Sequence, residues 1–189
     1  MMERLIDVLV ARQILEADRK DEYVYVMTMF VERTITYAIL FGIALVWHKV
    51  LPAVIFLLSF ILLRRTTGGF HLNSYPGCLV GTVVIFCLSL GLLAPFLQRW
   101  SWSGGILMVV SSICILSLAP VNHPALCLTE EEIDQHRKWC RIVLLIQCAI
   151  VVSSTWLGCN WQHYLEAGVL DCAVLVIIAK ILRQEVKVR

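Results

Sequence analysis

Six apolar runs, most of them close to the roughly 20 residues a helix needs to cross a bilayer core, decide what this chain can fold into. They are Met27 to Trp47, Val50 to Leu63, Cys78 to Leu97, Gly104 to Ala119, Arg141 to Leu157 and Trp161 to Leu182. Inside lipid every backbone N–H and C=O must find a partner within its own segment, so runs of this kind read as helices. The second run is short and is expected to tilt or to sit in thinned lipid. Composition agrees: 59% of the residues are hydrophobic and 16% charged, against about 45–50% and about 25% in soluble domains. The expected fold is therefore an all-α polytopic integral membrane protein of about six transmembrane helices, folded as one domain over residues 1–189.

Charge placement sets the orientation. With the N-terminus in the cytoplasm, every Lys and Arg except Lys49 and Arg99 falls on the inner side, as the positive-inside rule requires. An even number of spans then leaves both termini cytoplasmic. Acidic and basic residues from Glu3 to Glu22 precede any hydrophobic run, so the first span itself is expected to direct insertion. Within residues 1–24, Leu5, Ile6, Val8, Leu9 and Leu15 alternate with Arg4, Asp7, Arg12 and Glu16 at near-helical spacing. That pattern predicts an amphipathic helix lying on the inner surface, as an anchor or as a dock for an amphipathic peptide. A net charge of +2 gives no reason to expect a nucleic-acid partner.

Between the second and third spans, residues 64–78 read Arg-Arg-Thr-Thr-Gly-Gly-Phe-His-Leu-Asn-Ser-Tyr-Pro-Gly-Cys, the densest run of polar and conformationally special residues in the chain. Pro76 suits the first turn of a helix capped by Ser74 or Tyr75, which places Cys78 in the first turn of the third span. Free N–H groups and the positive end of a helix favour a thiolate over a thiol. Of the eight cysteines, Cys78 is thus the candidate nucleophile, and the others read mainly as small packing residues. His71 stands seven residues earlier and is the candidate base. Gly68 and Gly69 permit positive φ, a close approach to substrate, or an oxyanion site, while Asn73 or Ser74 could orient the imidazole. The same residues also fit a basic inner loop with a turn and no chemistry.

The Arg64-Arg65 pair, Gly68-Gly69, an aromatic residue, His71, and Cys78 seven residues on resemble the accessory gene regulator B family, membrane cysteine endopeptidases of bacterial peptide quorum sensing. The resemblance extends to Ala119-Pro120-Val121, the nearby Pro124, the acidic helix that follows and the number of spans. It implies that His71 and Cys78 are the catalytic pair, with Arg64, Arg65 and Gly69 supporting the site. It further implies a propeptide substrate with an amphipathic leader and an acidic tail, a homodimer, and a bacterial plasma membrane location with the active site on the cytoplasmic side. Gly77 and Gly81 have the small-residue spacing that permits close helix packing.

No cofactor or metal is expected. Residues 120–140 predict a cytoplasmic loop and a helix that starts at Glu130, because Thr129 and Glu132 form a capping-box pattern. That helix could simply lead into the fifth span, or hold a charged peptide at the membrane. A different class remains open, a small transporter or exporter using Asp171 and Glu166, the carboxylates of the sixth span.

Overall fold

The computed structural model describes residues 6–7, 9–10, 12, 16–70, 74–122 and 128–184. It divides into two units, Met1–Val46 and Trp47–Arg189. Among the described residues there are six long helices and no strand. These are α1 (Lys20–Val46), α2 (Val50–Thr67), α3 (Tyr75–Arg99), α4 (Ser101–Leu118), α5 (Glu130–Trp156) and α6 (Gln162–Ile181). The first five are long and apolar enough to cross a membrane.

In the first unit, α1 begins seven residues before the expected start of its apolar run. Asp21 and Glu22 occupy its first turn, where carboxylates complement the helix dipole. Residues 6–7 and 9–10 are helical, and the Asp7 carboxylate meets the Lys20 ammonium at 2.5 Å. Arg4, Leu5, Val8 and Leu15 of the expected amphipathic helix lie outside the described residues.

The second unit is organised around α6, whose buried residues include Leu165, Ala167, Val169, Cys172, Ala173 and Val176. Gly168 lets α2 come close: a β-carbon there would lie 2.8 Å from Ser59 Oγ and 3.1 Å from the Phe56 carbonyl. Small residues are what allow backbones to approach in lipid, where apolar burial drives no association. Ser59 Oγ donates to the Leu165 carbonyl at 3.0 Å, and Gln147 Nε2 of α5 donates to the Ser59 carbonyl at 3.0 Å. Two hydrogen bonds therefore tie α2, α5 and α6 at one level. Around them Leu63, Met108, Ile115, Leu144, Val151 and Val169 form the apolar core.

Two boundaries differ from expectation. Helix α2 continues past Leu63 to Thr67, so Arg64 and Arg65 are its last turn rather than the start of the loop. Cations are favourable at that end of a helix. Helix α3 is interrupted by a π turn at Ser89–Leu93, which ends two residues before Pro95. The proline ring would press on the carbonyl four residues back, that of Gly91, and a wider turn relieves the clash. The capping box is present as expected, with Thr129 N–H donating to Glu132 Oε2 at 2.9 Å and Glu132 N–H to Thr129 Oγ1 at 3.3 Å.

Candidate functional site

At one end of the second unit, the last turn of α2 and the Gly68-Gly69 loop fold around the Arg64 guanidinium, and the segment after α4 pairs with the end of α2. Gly68 ends α2 with φ +63°, its N–H donating to the Arg64 carbonyl at 3.1 Å, and Gly69 follows at φ +126°. Both conformations favour glycine. The Arg64 side chain folds back over this loop, Nη1 donating to the Gly68 carbonyl and Nη2 to the Phe70 carbonyl. One planar fork thus holds two carbonyls, as a guanidinium can and an ammonium cannot. A β-carbon on Gly69 would collide with the guanidinium.

The loop is also fastened from outside. Phe70 N–H donates to the Leu175 carbonyl of α6 at 3.2 Å, and Val121 N–H donates to the Thr67 carbonyl at 2.9 Å. The Phe70 ring packs with Val121, Val176 and Ala179. Gly68 is forced to be small, since a β-carbon would sit 2.5 Å from the Val121 carbonyl oxygen. Beyond Val121, the buried Asn122 side chain accepts from Leu128 N–H at 2.9 Å and donates to the Leu128 carbonyl at 3.3 Å. It closes the loop between residues 122 and 128.

On the other side of the site, Ser74 is the N-cap of α3 with extended backbone, and its carbonyl accepts the Cys78 N–H at 3.0 Å. Its side chain makes no capping bond, so the cap works through the backbone alone. Pro76 stands in the first turn as expected. Cys78 is half-buried at the end of that turn, and the Arg64 guanidinium acts electrostatically on Cys78 and on Cys172 of α6.

Of the residues singled out in the sequence, Arg64, Gly68 and Gly69 are brought together, and Cys78 lies within electrostatic range of the Arg64 guanidinium. Ser74 and the exposed Arg65 flank them. His71 and Asn73 lie outside the described residues. The amide of Gly68 is committed to the helix end, which leaves that of Gly69 as the oxyanion candidate of the pair. The two carboxylates of α6 are elsewhere and paired. Glu166 Oε2 meets His163 Nδ1 at 2.9 Å, both buried, and Asp171 Oδ2 accepts from Ser89 Oγ at 2.5 Å.

Sequence reading missed Thr67, Asn122 and Leu175. Leu175 contributes only its backbone carbonyl, for which side-chain type carries no signal, while Thr67 adds to its carbonyl a hydroxyl that donates to the Gly68 carbonyl at 3.1 Å. Asn122 was findable, because an Asn just after a Pro-containing turn is apt to bond backbone groups nearby.

The fold and site define a multi-pass, all-helical membrane protein with an arginine-anchored Gly-Gly loop beside a cysteine at a helix start. Comparisons with curated proteins and with solved structures gave no match. The family model for accessory gene regulator B matches residues 2–183, and the chain belongs to that family. Membership assigns it to the processing of quorum-sensing propeptides in the membrane.

Proposed function

We propose that this chain is a cysteine endopeptidase of the bacterial plasma membrane that removes the C-terminal tail of a quorum-sensing propeptide, with its site on the cytoplasmic side. The observation that carries the reading is the Arg64-held Gly-Gly loop that leads into His71, with Cys78 in the first turn of α3 and within electrostatic range of the same guanidinium. The distribution of Lys and Arg supports the orientation.

In this mechanism His71 takes the proton of Cys78, and the sulfur attacks the carbonyl that joins the signal segment to its tail. The C–N bond breaks, and His71 returns the proton to the leaving amine. The acyl group remains on Cys78 as a thioester. An internal thiol or hydroxyl of the peptide then attacks it, releasing the cyclic thiolactone or lactone and restoring the thiol. Exchange of one thioester for another needs no nucleotide, provided water is kept from the acyl-enzyme.

Mass spectrometry of a candidate propeptide incubated with membranes carrying the full chain tests this reading. The expected result is a released tail and, after acid quench, an acyl adduct on the peptide containing Cys78. An intact propeptide, or an adduct on a different cysteine, would overturn it.

Arg65 is exposed beside the anchored Arg64 and is suited to bind a carboxylate of the substrate tail. Arg65→Gln is expected to raise KM about two- to fivefold, as for exposed ion pairs. Raising the salt concentration should shrink the difference. A KM equal to wild type at low salt would exclude Arg65 from binding.

A further inference from the structure

Helix α3 has two halves with different surroundings. In Tyr75–Leu88, which carries Cys78, Phe86 alone is buried, its ring meeting Phe56 of α2 edge-on at 5.9 Å. Val80, Val84 and Leu88 are exposed. The π turn and the segment after it are held instead: Ser89, Leu90, Ala94 and Leu97 are all buried.

Three groups grip the π turn. Asp171, the tenth residue of α6, accepts from Ser89 Oγ, and Lys49 Nζ donates to the Leu90 carbonyl at 3.0 Å. Trp47 lies over Gly91, close enough that a β-carbon there would be 3.6 Å from its ring. Lys49, the N-cap of α2, and Asp171, midway along α6, therefore act on adjacent residues of one turn. A carboxylate within a span is expensive and is found where it has a task. A π turn also departs from the regular i→i−4 ladder, which is why such turns recur at bends and functional sites.

We propose that the Ser89–Leu93 π turn is the pivot of the Cys78-bearing arm Tyr75–Leu88, and that Asp171 and Lys49 are positioning residues that hold the pivot and thereby set the position of Cys78. The lever is long. At about 1.5 Å of rise per residue, Cys78 lies about 16 Å from Ser89 along the axis, so a tilt of about 5° moves it about 1.4 Å. Displacements of about 1 Å at a reacting atom cost about a hundredfold in rate. The consequence for activity rests on the peptidase reading; the pivot itself does not.

The test is alkylation of Cys78 by a bulky maleimide in the full chain reconstituted in liposomes, followed by peptide mass spectrometry. Ser89→Ala and Asp171→Ala should each raise the rate at Cys78 about threefold to thirtyfold, the range typical of remote couplings. The buried Cys140 and Cys172 should stay unlabelled, and Asp171→Asn, which keeps an acceptor for Ser89, should label at the wild-type rate. Tail removal should fall in kcat rather than rise in KM. An unchanged Cys78 rate in both alanine variants overturns the pivot, as does parallel labelling of Cys140 and Cys172, which signals general loosening. If Asp171→Ala does not accumulate, Lys49→Met reads the same turn from its other side by the same criteria. Should Cys78 prove dispensable for tail removal, the peptidase reading fails while the labelling result still judges the pivot.

Discussion

Cys78→Ala and His71→Ala are each expected to lower tail removal by about four orders of magnitude or more, the scale seen when a nucleophile or its base is deleted. In the proposed mechanism the two residues act as one unit, so the double variant should be no worse than either single one. For Cys78 the local argument is specific. Its N–H is the one accepted by the N-cap carbonyl of Ser74, and the residue is half-buried within electrostatic range of a guanidinium that the loop holds in place. Alanine removes the sulfur without touching any of those backbone bonds, so membrane abundance should stay at the wild-type level. The measurement is the ratio of tail fragment to intact propeptide, normalised to that abundance. Processing that persists in Cys78→Ala removes the acyl-enzyme from consideration.

The second large effect is expected at Gly69. Gly69→Ala should cost about a hundredfold or more in kcat, because the new methyl group occupies the space of the Arg64 guanidinium at φ +126°. Either the arginine leaves or the loop does, and both carry the segment before His71 away from Cys78. Arg64→Lys should fall in the same range, since a single ammonium cannot bridge the Gly68 and Phe70 carbonyls. Unlike Arg65→Gln, these losses should appear in kcat and resist added salt. A salt-sensitive KM effect at Arg64 with kcat intact would show that it binds substrate instead of holding the loop. Steady-state kinetics at two ionic strengths separates the two roles.

Much of this arrangement was readable from residue types. The six apolar runs marked the helices, Pro76 marked the start of α3, and Thr129 with Glu132 marked the start of α5. The paired glycines announced the positive φ values that Gly68 and Gly69 adopt. The end of α2 was misjudged because hydropathy stops at Leu63, whereas the helix stops where Gly68 turns the chain. Arg64 stood out with Arg65 as a basic pair, but its partners did not, because they are carbonyls of its own loop. The π turn left only the spacing of Gly91 and Pro95 as a trace. The polar face of α6 was ambiguous for a different reason: carboxylates in a span advertise a task, but Ser89 and His163 as their partners are set by packing between and along helices.

The tie between Phe70 and Leu175 has a consequence for biogenesis. Helix α6 carries Asp171 at its centre, along with Glu166, His163 and Gln162, and an aspartate there raises the cost of membrane insertion by about 2.5–3.5 kcal/mol. Entry of α6 is thus favoured by the earlier helices that already offer Ser89 and Gly104 to receive those groups. Until it docks, the carbonyl that anchors Phe70 does not exist for the nascent polypeptide. A ribosome-bound intermediate therefore lacks this tie, and the Gly-Gly loop is fastened by it only once translation has passed through the sixth helix.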